Sequence, residues 1–253
     1  MKYESGQNIP DHVADALRLT GKVGFLSHAL WRDCFAEKYN LRWQRRQLRN
    51  LVKEKILRDY AKTLNNCYFV LSIKGRRLLE DENRNVVKPS PLSQLLHDEN
   101  VARSLINLDK SGLLVGWKTE NELKSTQGKV FQLNRDARNK KYPDAVLKIN
   151  THGIERTIAI EYERTRKSAG RYKKILWLYS RSMDFGMVVF ICENKSIETA
   201  IREKLKYMQL PDLLKRVAFV QSAKWQIDPA NAPLELGNKV FTLKEICRNK
   251  KAV

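Results

Sequence analysis

The sequence predicts an α/β protein in two parts: a small helical unit closed by a β-hairpin, then a larger unit in which helices alternate with the strands of a mixed sheet. Three observations predict it. Three helical patterns precede two strand-like runs near the N-terminus. Lys88, Pro89, Ser90 and Pro91 then break any helix, so that 83–93 reads as a linker between domains at 1–88 and 89–253. Beyond the linker the apolar patterns run helix, three strands, helix, strand, helix, strand, an order that opens with an αβββαβ core.

In the first part, His12–Leu19 is helical, and Ser27–Lys38 repeats Leu30, Trp31, Cys34 and Phe35 at helical spacing. The third pattern, Arg42–Lys53, gathers Leu48, Leu51 and Val52 on one side and Arg42, Arg45, Arg46 and Arg49 on the other, with Gln44 near its start. Ile56–Tyr60 and Tyr68–Ile73 read as strands joined by a turn at Asn65 and Asn66, and Gly75–Glu80 as a closing helix. Three helices followed by a basic-flanked hairpin is the order of a winged helix-turn-helix, whose third helix enters the major groove. Between Leu41 and Lys62 eight basic residues stand against two acidic ones, more than solubility requires. Arg42, Gln44, Arg45, Arg46, Arg49 and Lys53 are therefore the expected DNA contacts; the rival is a helix face that is merely solvated.

In the second part, Leu92–Leu108 is helical, Leu113–Leu123 contains a strand, and Lys141–Ile149 and Thr157–Glu163 make two more. A basic helix is expected over Arg164–Arg181. Met187–Cys192 is a continuous apolar run suited to a central strand, Ile197–Met208 a helix, and Val217–Gln221 a further strand.

A net charge of +20, from 48 Lys and Arg against 28 Asp and Glu, favours a polyanionic partner, and DNA before an anionic membrane. With 42% apolar residues the chain can bury a core, which argues against disorder. No apolar stretch approaches the roughly 18 residues of a spanning helix, and Met1–Asp11 lacks the apolar core of a leader; the expected location is cytoplasmic. Cys34, Cys67, Cys192 and Cys247 form no zinc-ligand spacing and are expected as reduced thiols in the core.

The chemistry-bearing residues lie at strand ends. Pro143 and Asp144 head one strand, and Glu161 and Glu163, two residues apart and so on one face, close the next. Like charges so placed repel unless a cation lies between them, and oxygen-rich ligation suits Mg²⁺ or Mn²⁺. Asp144 is the natural further ligand. Glu99 falls within the apolar stripe Leu92, Leu95, Leu96, Ala102, Ile106; a core-facing carboxylate binds metal at the same site or pairs with a buried Arg or Lys. Arg164 to Lys174 holds six basic residues in eleven, among them Arg164, Lys167, Arg171 and Lys173, positioned to hold a phosphate. The alternative for the whole set is a structural salt-bridge network.

Tyr142-Pro143-Asp144-Ala145, Ile160-Glu161-Tyr162-Glu163-Arg164, Lys167-Ser168, Arg171-Tyr172 and Tyr179 together resemble the replication-relaxation-like proteins and the MobC-type relaxases of mobilisable plasmids. In those families a winged helix precedes a restriction-endonuclease-like core of the PD-(D/E)XK kind, and the resemblance runs from about Asp11 to Cys192. It implies that Asp144 and Glu161 bind the metal, that Glu99 matches the acidic residue on the first helix of the core, and that the activity is site-specific nicking of origin DNA for plasmid mobilisation. Duplex and nicked or single-stranded origin DNA would be the partners, with accessory mobilisation or coupling proteins. Glu163 stands where the motif has lysine, and Lys167 on the following helix is the substitute. Tyr142, Tyr162, Tyr172 and Tyr179 all lie within the motif region; buried packing is the expected role of each, and the resemblance implies water as the attacking group. Two rivals remain: a non-catalytic regulator of replication or transcription, and a nuclease of another mobile-element or defence system.

Overall fold

The computed structural model describes residues 8–35, 39–63, 66–82, 84–126, 131–133 and 141–247, and the chain divides into two compact units, Met1–Ala102 and Arg103–Val253.

The first unit runs α1 (Asp11–Val23), β1 (Leu26–Ser27), α2 (His28–Phe35), α3 (Leu41–Lys53), β2 (Leu57–Lys62), β3 (Cys67–Leu71) and α4 (Ile73–Glu80). Its three strands pair antiparallel in the order β1-β3-β2. α1 stops where Gly24 takes a left-handed φ of 92°. Ser27 belongs to a strand, paired with Tyr68, and its hydroxyl accepts the Leu30 N–H, so α2 starts one residue later than its apolar spacing predicts. Residues 36–38 and Asn65 of the expected helix and turn lie outside the described residues. α3 is capped by Asn40, whose side chain accepts the Trp43 N–H at 2.9 Å. It buries Gln44, Leu48 and Leu51 and exposes Arg42, Arg45, Arg46, Arg49 and Lys53. Ile73 opens α4 rather than closing a strand, because Ser72 caps that helix by accepting the Gly75 N–H. Gly75 meets the Ile56 carbonyl so closely that a Cβ there would lie 2.2 Å from its oxygen.

The expected linker packs on this unit. The Val87 N–H donates to Gly21 at 2.9 Å, and the carbonyl of buried Ser90 accepts the Tyr60 hydroxyl at 2.8 Å. Asn83 lies outside the described residues. A 3-10 turn at Leu92–Gln94 leads into α5 (Leu95–Lys110), and the division between units falls within α5.

The second unit continues with β4 (Leu114–Thr119), α6 (Glu120–Ser125), β5 (Ala145–Thr151), β6 (Ile154–Glu163), α7 (Ala169–Arg181), β7 (Met187–Cys192), α8 (Lys195–Tyr207), α9 (Pro211–Leu214), β8 (Val217–Gln221), α10 (Ser222–Ile227), β9 (Leu234–Leu236), β10 (Lys239–Phe241) and α11 (Leu243–Cys247). These strands form a seven-stranded mixed sheet, β10-β9-β8-β7-β6-β5-β4, parallel across β6, β7 and β8 and antiparallel elsewhere. β7 pairs on both edges and is buried almost throughout, which accounts for its unbroken apolar run. Val146, Ala159, Val188, Phe190 and Phe219 pack against Tyr172, Ile175, Leu176 and Tyr179 of α7 and Ile197 and Ile201 of α8. The β9–β10 hairpin went unanticipated: its strands have three residues each, too few for a periodicity, although Gly237, at φ 58°, and Asn238 make a two-residue turn between them.

α7 starts at Ala169, not Arg164. Ser168 caps it by accepting the Arg171 N–H at 3.3 Å, so Arg164–Lys167 form the crossing from β6. Ser168→Ala is expected to cost about 1 kcal/mol, seen as a fall of roughly 2–4 °C in thermal unfolding. The four cysteines form no disulfide among the described residues, and only Cys192 is in the core; Cys34, Cys67 and Cys247 are half-buried. Among the described residues no helix is long and apolar enough to cross a membrane.

Candidate functional site

The β5–β6 register, Ala145 opposite Ile160, carries on to set Asp144 beside Glu161 at the end where β6 leaves the sheet. Asp144 is held there by the Tyr162 N–H, which donates to its Oδ2 at 2.7 Å. The side chains of Glu161 and Glu163 are fully buried. Lys141 places its Nζ 3.3 Å from Glu161 and 3.9 Å from Asp144, so two carboxylates from neighbouring strands share one cation. Tyr179 of α7 donates its hydroxyl to Glu161 at 2.6 Å. Lys167 donates to Oε1 of Glu163, whose Oε2 is buried with no hydrogen-bond partner among the described residues.

Burial dominates the electrostatics. It pushes Glu161 up to about 7, against the pull of Lys141 and with the help of the Asp144 charge. Burial raises Glu163 too, opposed by Lys167. For Lys141 burial disfavours the charge, but Glu161, Asp144 and Glu120 outweigh it and hold the ammonium above its ordinary value. A second buried carboxylate cluster supplies the contrast. Glu198 accepts from Lys195, Arg202 and Gln221 on its two oxygens; burial raises its pKa, but the bonds and charges of Lys195 and Arg202 outweigh it and lower the pKa. Glu198 is a saturated structural network; Glu163 keeps an unmatched oxygen.

The convergence of Asp144 and Glu161 on a stand-in cation fits a hard divalent ion, because Mg²⁺ and Mn²⁺ accept one or two carboxylates and complete their shell with water. Glu99, expected as a third ligand, belongs to the first unit. Glu99 is buried, and its oxygens accept from the Ser27 hydroxyl, from Asn66 Nδ2 at 2.7 Å and from the Tyr68 hydroxyl at 2.7 Å, all within the first unit. Its partners are neutral donors and not the buried Arg or Lys of the alternative. Among the described residues no group of three or more His, Cys, Asp or Glu side chains is gathered closely enough to hold a metal ion.

The four tyrosines of the motif region are buried. Tyr142 donates to Gln132, Tyr162 shares a hydrogen bond with Ser222, and Tyr172 accepts the Lys167 N–H. Burial raises the pKa of Tyr162, Tyr172 and Tyr179, which keeps these phenols protonated and poor nucleophiles.

On the first unit, Arg42, Arg45 and Arg49 rim a cleft of about 770 Å³ between α3 and the β2–β3 hairpin, floored by Leu48, Val52 and Phe69. His28 lines it, its pKa lowered by burial and then by Arg45 and Arg32. Gln44 does not belong to this face: it is buried, and its Nε2 donates to the Tyr39 carbonyl at 2.7 Å. On the second unit, Arg164, Arg171 and Lys173 are exposed. Arg166, Lys167, Tyr172, Lys204 and Tyr207 line a smaller cleft of about 340 Å³ where α7 begins. Sequence reasoning missed Lys141, whose one signal was a lysine three residues ahead of Asp144. It also gave Tyr179 a packing role and not its bond to Glu161.

No protein-family model matches the sequence, and no curated protein matches it. Among solved structures, the DNA-bound restriction endonuclease FokI aligns over 86% of this chain and 43% of its own, at 10% identity and a TM-score of 0.27; the chain thus spans less than half of that protein, and a score so low establishes no shared fold.

Proposed function

We propose that the protein is a metal-dependent DNA endonuclease: the first unit is a winged helix that binds duplex DNA, and the second, restriction-endonuclease-like, cuts one strand with Mg²⁺ or Mn²⁺. One observation carries the catalytic half, the convergence of Asp144 and Glu161 on a single cation position beside a basic segment. The element order of the first unit, its β1-β3-β2 sheet and the five exposed cations of α3 support the DNA-binding half. The resemblance to MobC-type relaxases extends this to site-specific nicking at an origin for plasmid mobilisation.

Asp144 and Glu161 would hold the ion, which supplies Lewis-acid polarisation of the phosphodiester and a more acidic water. The Tyr162 N–H and the Tyr179 hydroxyl fix those carboxylates from opposite elements. Glu163, basic through burial and with Oε2 unpartnered, accepts the proton of the attacking water, while Lys167 orients it in place of the motif lysine. Arg164, Arg171 and Lys173 hold the flanking phosphates.

A non-catalytic DNA-binding protein is the second reading, because Lys141 and Lys167 already neutralise the carboxylates. Supercoiled plasmid incubated with Mg²⁺ or Mn²⁺ separates the two. Wild type is expected to convert it to the nicked form, and Asp144→Ala to lose about 10³-fold or more of that rate while still binding DNA. Binding without nicking by the wild type, across metals and candidate origins, would establish the second reading.

A further inference from the structure

We infer that the outer face of α7 is a track for an unpaired DNA strand, with Trp177 as its stacking platform and Arg171, Lys173, Lys174 and Arg181 as its phosphate contacts. This rests on the proposed function and names the form of DNA that this face takes.

From Arg164 to Ser182 the chain carries seven basic residues and no acidic one. Among the described residues no carboxylate pairs with Arg171, Lys173, Lys174 or Arg181, all of which are exposed. Lys173, Trp177 and Arg181 follow one another at four-residue intervals, so they form a single stripe along the helix, each step about 6 Å. Trp177 lies in the middle of this stripe and is 46% exposed, whereas Tyr172, Ile175, Leu176 and Tyr179 of the same helix are buried. Arg181 lies over its ring, Cζ 4.6 Å from the centroid, which fixes the attitude of the indole and keeps a guanidinium beside it.

Cations alone suit duplex and single strand equally. An indole held at the surface among them does not, because a paired base presents only its edges in the grooves whereas an unpaired base presents a π-face. The absence of acidic residues favours a polyanion over a mixed-charge protein surface. A nuclease that nicks and opens its substrate has such a strand to hold.

Fluorescence anisotropy of the full-length protein, in EDTA to prevent cutting, tests this with labelled oligo-dT and with a labelled hairpin duplex. Trp177→Ala is expected to weaken oligo-dT binding roughly 5- to 100-fold and duplex binding by less than about 2-fold, and Trp177→Phe to restore most of the loss. An equal loss on both probes, no loss on either, or competition by polyglutamate as effective as by oligo-dT would overturn the inference. If the wild type bound neither probe, the DNA reading itself would fail; if it bound both and Trp177→Ala changed neither, only the stacking track would fall.

Discussion

Glu99→Ala is expected to destabilise the first unit by about 2–4 kcal/mol and to leave ion binding by the second unit intact. The carboxylate accepts from three donors of different elements: Ser27 at the β1–α2 junction, Asn66 at the base of the hairpin turn, and Tyr68 in β3. Ser27 and Tyr68 are buried, so the substitution removes the carboxylate that accepts from their hydroxyls in a place that water does not reach. Asn66 also accepts the His28 N–H, which makes Glu99 the hub that fixes the start of α2 against the β2–β3 hairpin. DNA affinity should fall with it, through misplacement of the hairpin and not through loss of a contact. Glu99→Gln keeps an acceptor oxygen and should lose less than half as much. Urea unfolding and Mn²⁺ titration of the same variant decide the matter: native-like stability with a lost ion would return Glu99 to the metal site.

Glu99 also shows what the sequence could and could not convey. A carboxylate within an apolar helical stripe must be buried and must have partners, and both hold. Which partners depends on where the stripe docks, and residues as distant in the chain as Ser27 leave no mark in local spacing. The same limit hid Lys141, a cation that acts through strand register. Patterns set by a single element were readable: the apolar run of β7 and the paired carboxylates of β6 fall where periodicity predicts. Patterns interrupted by a cap were not. Ser168 delays α7 past five residues of helical composition, and Ser72 turns Ile73 from strand to helix. Gln44 was misplaced because polarity suggested the solvent side, whereas α3 turns it inward onto the Tyr39 carbonyl.

Lys141→Met should separate an ion site from a structural ion pair. Methionine keeps the length of the stem and removes the charge, leaving Asp144 and the fully buried Glu161 facing each other without a cation. Breaking a buried pair from one side leaves an uncompensated charge, and with Lys141 itself partly exposed the expected loss is about 2–4 kcal/mol in EDTA. Mn²⁺ should then reverse the loss: an ion at a hundred times its Kd contributes roughly 2.7 kcal/mol, and in this variant it enters a vacated position rather than displacing an ammonium. The thermal midpoint of Lys141→Met should therefore rise with Mn²⁺ by several degrees more than that of wild type, and the added Asp144→Ala substitution should abolish the difference. Calcium, a hard ion with the same preference for oxygen, should substitute in stability without supporting nicking, which separates binding from chemistry. If Mn²⁺ left Lys141→Met as unstable as EDTA does, the carboxylates would serve the ammonium alone. The Lys141 site would then be a structural ion pair, and the non-catalytic DNA-binding reading would be the one favoured.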